Sequence, residues 1–184
     1  GEPLTGRLSL PNGAKTVGLL MGDPDQQFLI ASDAGYGFIA RLSDMLTKNR
    51  KGKAFLSLPQ GARALHPLPA HDLANDHIVA VSNEGRMLVF ALKDLPVLPR
   101  GKGNKIINIP PKRVKAREEF LAHLFVLPAN TQLTVYAGKR YLNLKGEGLA
   151  HYMGNRGLRG RKLPRGFQKV DRLDVVENHQ LSLL

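Results

Sequence analysis

The chain has 184 residues, 42% of them hydrophobic, which is long enough for one substantial domain or a row of linked cores and too apolar for a disordered chain. Lys and Arg number 27 against 15 Asp and Glu, giving a formal charge of +12 and a pI near 10.2, a balance that suits a polyanionic partner such as nucleic acid or an anionic membrane surface. The absence of cysteine excludes disulfides, Cys-ligated zinc and a thiol nucleophile, and fits a reducing compartment.

From the N-terminus, Gly1-Glu2-Pro3-Leu4 has neither the basic nor the apolar region of a signal peptide. No apolar run approaches the roughly 18 residues of a spanning helix. A cytoplasmic protein without a membrane span is therefore expected. Leu8-Ser9-Leu10-Pro11-Asn12-Gly13-Ala14 recurs as Leu56-Ser57-Leu58-Pro59-Gln60-Gly61-Ala62, which is a repeat signature. Val17 to Met21 is apolar, Asp23-Pro24-Asp25 is an acidic loop, and Phe28-Leu29-Ile30-Ala31 is a strand ending at the turn Ser32-Asp33-Ala34-Gly35. That turn recurs as Ser82-Asn83-Glu84-Gly85 after Ile78-Val79-Ala80-Val81, at nearly the same displacement.

The displacement that carries Ser32 to Ser82 also superposes Arg50 on Arg100 and, after one inserted residue, Lys51-Gly52 on Lys102-Gly103, so that Arg50-Lys51-Gly52-Lys53 and Arg100-Gly101-Lys102-Gly103 are corresponding segments. Each copy is a basic, glycine-loosened turn running into an apolar strand and a proline, Leu56 to Pro59 in the first and Ile106 to Pro110 in the second. Glycine lets the backbone approach a partner closely, and the cations suit a phosphate backbone. Ala116 to Leu124 has Phe120, Leu121 and Leu124 at helical spacing and reads as a short helix leading into a strand at Phe125-Val126-Leu127. A third, worn copy follows. Leu133 to Tyr136 passes through Ala137-Gly138-Lys139-Arg140 into Tyr141 to Leu144, and the basic segment is Arg156 to Gly166. Val170 to Val175 alternates as a half-buried strand does.

Units of about 40 to 50 residues with about four strands each are the sequence form of propeller blades, so the fold class is all-β and radial. Blades fall at about 1–70, 71–130 and 131–176, with a tail over 177–184. Leu8 already matches the closing part of a unit, so the chain is expected to be a piece of a longer array, with an exposed edge where its first blade lacks strands. The candidate DNA contacts are Arg50, Lys51 and Lys53 in the first unit, Arg100, Lys102 and Lys105 in the second, and Arg156, Arg159, Arg161, Lys162 and Arg165 in the third.

Other chemistry finds no support. His66, His71 and His77 lie near Asp72 and Asp76, but their spacing puts no two ligands on one helix face. Ser32 and Ser82 lack a Gly-x-Ser-x-Gly elbow and sit where a strand-connecting turn requires them. Glu118 and Glu119 are adjacent, so on a helix they face apart and cannot flank one bond. Arg100 to Lys105 lacks the Gly-Lys-Ser/Thr ending of a phosphate loop.

Arg100 to Pro110, with Ser32 to Phe38, Gly85-Arg86-Met87-Leu88, Gly138-Lys139-Arg140 and Arg165-Gly166-Phe167-Gln168-Lys169-Val170-Asp171-Arg172, resembles the C-terminal domain of the topoisomerase IV A subunit, related to that of the gyrase A subunit. The resemblance runs from Gly1 to about Val176. It implies a β-pinwheel, in which propeller-like four-stranded blades exchange strands, with a basic rim that binds and bends double-stranded DNA. It also implies a parent ATP-dependent type II topoisomerase with the topoisomerase IV B subunit and a second A subunit as partners, and ATP and Mg on other domains or subunits. The catalytic tyrosine belongs to an upstream part. Tyr36, Tyr136, Tyr141 and Tyr152 lie in no breakage-reunion motif, so this piece is non-catalytic, without cofactor or metal. Gyrase's Gln-Arg-Arg-Gly-Gly-Lys-Gly box is contracted here to Arg100-Gly101-Lys102-Gly103, so decatenation and relaxation are implied rather than DNA wrapping and negative supercoiling. A nucleoid-associated location follows. The other reading is a propeller-like protein-interaction scaffold without DNA binding. Cations gathered on one edge favour DNA, and scattered cations favour the scaffold.

Overall fold

A computed structural model of the chain describes residues 23–50 and 55–177. The repeat at Leu8 to Ala14, the apolar stretch Val17 to Met21, Lys51, Lys53 and the tail beyond Glu177 lie outside the described residues.

Eleven strands over the described residues form three antiparallel sheets. The first has the order β3 (Leu68–Ala70), β1 (Gln27–Ser32), β2 (Tyr36–Arg41), β6 (Asn104–Lys105). The second has the order β7 (Leu121–Leu127), β4 (His77–Ser82), β5 (Arg86–Ala91), β10 (Arg161–Lys162). The third places β8 (Thr131–Ala137) between β11 (Arg172–Glu177) and β9 (Arg140–Leu144). Helices are short: α1 (Leu42–Arg50), α2 (Pro111–Lys115) and α3 (Gly146–Ala150). The fold is an all-β pinwheel, because the first two sheets each take their last strand from the next unit. β6 joins β2 at Tyr36 and Gly37, and β10 joins β5 at Arg86 and Met87, which are equivalent positions of the two units.

Burial explains the sequence pattern of each hairpin. In the first sheet Leu29, Ala31 and Ile39 face a core shared with Ile78, Ala80, Leu88 and Phe90 of the second. Phe28, Ile30, Phe38 and Ala40 face the opposite way, onto Leu42 and Met45 of α1 and onto Phe55. Val79, Val81, Met87 and Val89 turn from the second sheet toward Leu133, Val135 and Leu144 of the third. Strands covered on both faces must be apolar at every position, which is why Phe28 to Ala31 and Ile78 to Val81 show no alternation. β8 and β9 alternate in polarity, although Thr134 is buried as well. Leu133, Val135 and Ala137 are buried, while Tyr136 stacks loosely on Tyr141, the rings 6.5 Å apart, and Tyr141 is 65% exposed.

Two expectations are corrected. The helix expected over Ala116 to Leu124 lies earlier, at Pro111–Lys115, and β7 begins at Leu121. Pro111 sits in the first turn, where its missing N–H costs nothing, and Arg117 has a positive φ of 60° that ends the helix. Leu121 to Leu127 then pairs along β4, which outweighs the local helical spacing. The strand expected after each basic turn is also shorter. Only Asn104 and Lys105 make a ladder, whereas Ile106, Ile107 and Ile109 leave it to fill the core between the first two sheets. Leu56 makes a single parallel bridge to Gly101.

The turn residues latch neighbouring segments. The Asp33 carboxylate accepts from the Arg63 backbone N–H at 2.8 Å, and Asn83 Oδ1 accepts from that of Phe120 at 2.8 Å. Equivalent turn positions thus satisfy backbone donors that the sheet does not reach.

Candidate nucleic-acid interface

Each basic glycine turn is stapled to the corresponding stretch of the preceding unit. Gly101 donates to Phe55 O at 2.8 Å and accepts from Ser57 at 2.9 Å. One unit later, Gly157 donates to Ile106 O and Leu158 O accepts from Asn108, both at 2.9 Å. The Arg156 guanidinium donates to Lys105 O at 2.7 Å. The backbones of successive basic segments are therefore joined to one another.

Glycine is required where each turn enters its short strand. Gly103 has φ +82° and Gly160 φ +81°, the left-handed region. A Cβ on Gly103 would collide with the Gly37 carbonyl, and one on Gly160 would lie 2.9 Å from Met87 O. These contacts hold β6 against β2 and β10 against β5 and so fix where the adjacent cations emerge.

Arg100, Lys102, Arg161, Lys162 and Arg165 are exposed, and Lys105 is half-buried. Among the described residues none of these six pairs with an acid. Lys102 and Lys105 instead flank Tyr36, with Nζ 4.5 Å and 5.9 Å from the ring centroid. Arg50 ends α1.

Arg159 is engaged differently. Its guanidinium grips the fully buried Glu119 in bidentate fashion, Nη1 to Oε1 at 2.6 Å and Nη2 to Oε2 at 2.5 Å, and donates to Asn108 O at 3.2 Å. Arg113 Nε also donates to Glu119 at 3.2 Å, and Arg113 pairs outward with Glu84 and Glu118. Burial pushes the Glu119 carboxyl up, but the hydrogen bonds and charge of Arg159 and Arg113 outweigh it and hold the group below its ordinary value. The carboxylate joins the second unit to the third. Arg117 plays a similar part on the first unit, pairing with the buried Asp33 at 2.8 Å and donating to Gly61 O at 3.1 Å, with its guanidinium 4.2 Å from the Phe120 ring. Neither Glu119 nor Arg117 stands out in the sequence as a joint. The available signal was that Glu118 and Glu119 end a cation-only run from Arg100 to Arg117.

No group of three or more His, Cys, Asp or Glu among the described residues can hold a metal, and none of their helices is long and apolar enough to cross a membrane.

A family model described as the DNA gyrase C-terminal domain, β-propeller, matches residues 26–69 and 76–128. The chain is 56% identical over 175 residues to the A subunit of DNA topoisomerase 4 from Pseudomonas aeruginosa and 47% identical over 182 residues to that from Escherichia coli K12. These alignments cover 95% and 99% of the chain but only 23% and 24% of the relatives, so the chain spans about a quarter of their length. Among solved structures, the E. coli ParC C-terminal domain superposes with a TM-score of 0.82 at 44% identity, covering 96% of this chain and 71% of that one. A DNA gyrase A C-terminal domain superposes at 0.63 with 13% identity, covering 84% and 50%, which is a likeness of fold alone. The chain belongs to the DNA gyrase C-terminal domain family of β-propellers, and within it to the C-terminal domains of the topoisomerase IV A subunit.

Proposed function

We propose that the chain binds duplex DNA without regard to base sequence and bends it along the basic segments, so helping a type IIA topoisomerase select DNA topology for decatenation and relaxation. The observation that carries this reading is the equivalent seating of β6 and β10. Two short cation-bearing strands occupy the same edge position of successive sheets, and no acid among the described residues neutralises their cations. Cations repeated along a path suit a polyanion whose charges also repeat, and turns without rigid forks at base edges favour phosphate contact over base readout. In this reading residues 1–176 act as one DNA-binding domain, and Arg50, Lys51 and Lys53 of the first unit contribute further phosphate contacts. The parent is an ATP-dependent enzyme of the cytoplasmic nucleoid. Its catalytic tyrosine, B subunit, second A subunit, ATP and Mg are engaged through parts outside this chain.

The test is a titration of labelled duplex against the chain at several salt concentrations. If Arg100, Lys102, Lys105, Arg161 and Lys162 each neutralise one phosphate, these five alone contribute about −4.5 to the slope of log K against log salt, the same for scrambled sequences. End-to-end energy transfer on a longer duplex should rise on binding. An absence of duplex binding, or binding indifferent to salt, would return the chain to the protein-interaction scaffold.

A further inference from the structure

Beside the basic segment of the second unit lies a cleft that duplex DNA does not explain. It has a volume of about 320 Å³, at the small end of the roughly 300–1,000 Å³ typical of small-molecule sites. Pro59, Ile109 and Val114 form an apolar floor, Tyr36 forms an aromatic wall, and Lys102, Lys112 and Lys115 stand around the mouth. The three lysines are exposed, and among the described residues no carboxylate lines the cleft. The floor is firm, since Ile109 and Val114 are 3% and 2% exposed members of the core between the first two sheets.

We propose that this cleft takes an unpaired nucleotide of a DNA strand, its base against Tyr36 and the apolar floor and its phosphate among the lysines. The inference rests on the DNA-binding reading and deepens it. A paired duplex shows a protein only phosphates and groove edges, because its base faces are stacked inside. A hollow that is apolar, walled by an aromatic ring and ringed by cations matches a ligand with a flat apolar face joined to an anion. Every base offers such a face, so the site tolerates any sequence. Lys102 caps Tyr36 in the free protein, and its flexible ammonium exchanges the ring for a phosphate when a nucleotide enters. Bent or partly unwound DNA offers unpaired bases more readily than straight duplex, which places the cleft in line with a bending rim.

The test compares a fully paired duplex with the same duplex carrying one unpaired 2-aminopurine, using the whole chain. Stacking one base on an aromatic ring is worth about five- to 150-fold in affinity. The bulged duplex should bind at least about fivefold more tightly, with changed 2-aminopurine fluorescence. Tyr36→Leu should lower affinity for the bulged duplex more than for the paired one, erasing that preference. Should circular dichroism show that variant unfolded, the exposed Gln60→Glu, which puts a negative charge at the mouth, must weaken bulge binding more than paired binding. Equal affinity for bulged and paired duplex overturns the cleft and leaves the DNA reading standing. If neither duplex binds, the DNA reading fails and free dAMP decides the cleft. Binding of dAMP more tightly than inorganic phosphate, lost in Tyr36→Leu, supports a nucleotide pocket, and equal binding or none overturns it.

Discussion

Arg159→Ala should unfold the protein more readily while leaving its affinity for DNA intact, although Arg159 lies in the middle of a basic run. Glu119 is fully buried and takes two short bonds from Arg159, at 2.6 and 2.5 Å, against one from Arg113 at 3.2 Å. Removing one partner of a buried pair costs about 3–5 kcal/mol, because the remaining charge stays buried. Arg113 remains, and the two arginine side chains are 33% and 36% exposed, so the low end applies, about 3 kcal/mol. For a domain of this size each kcal/mol lowers Tm by about 2–4 °C, so thermal unfolding followed by circular dichroism should shift down by about 6–12 °C. Replacing both Glu119 and Arg159 by leucine should recover most of that loss, since no unpaired charge is left inside. The pH dependence has a defined sign. The Glu119 pKa is lowered in the folded protein, so the pair stabilises fully above the unfolded carboxylate pKa of about 4.3 and loses its effect as pH falls through the lower folded value. The gap between wild type and Arg159→Ala should therefore close in acid. A Tm within about 2 °C of wild type, with the salt slope of DNA binding flattened by about 0.9, would show that Arg159 serves the phosphates and that the clamp is dispensable.

The triple change of Arg100, Lys102 and Lys105 to alanine should flatten the salt slope by about 2.7 and weaken binding alike on every sequence. The fold should survive it, because surface substitutions usually shift stability by less than about 0.5 kcal/mol; an unchanged slope in a folded variant would make the turn a mere solvated loop. Gly103→Ala combines a left-handed backbone, costing about 1–2 kcal/mol, with a collision against the Gly37 carbonyl. Urea unfolding should show a loss above that figure, accompanied by weaker DNA binding as β6 leaves β2, and a neutral result would mean that β6 is not seated there.

Much of the architecture was legible because blades repeat their chemistry. The turns at Ser32 and Ser82 and the glycines of the basic segments are demanded by local backbone geometry, which a sequence states openly. Helical spacing between Phe120 and Leu124 misled because the same apolar residues serve a strand once β4 supplies a ladder, a partner far upstream that no local pattern reveals. The run Ile106 to Ile109 misled for a related reason: branched apolar residues fill a core between sheets as readily as they line a strand. At the interface the cations were visible, but their division of labour was not. Arg159 and Arg161 are near neighbours in the chain, yet one is gripped by a buried carboxylate and the other stands in solvent. That difference depends on Glu119, which lies in the preceding unit, and on packing that removes it from water.

The borrowing of strands between units sets an order in time as well as in space. On the ribosome β2 ends at Arg41, but the strand that completes its sheet begins only at Asn104. At about 5–20 residues per second, the stretch of roughly 60 residues between them leaves about 3–12 seconds in which the nascent hairpin has an open side. The second hairpin waits in the same way, from Ala91 to Arg161. The first two blades are each finished only after the hairpin of the next has been made, so a translation product that stalls before Asn104 or before Arg161 leaves the corresponding sheet incomplete, with backbone groups able to pair with another nascent chain.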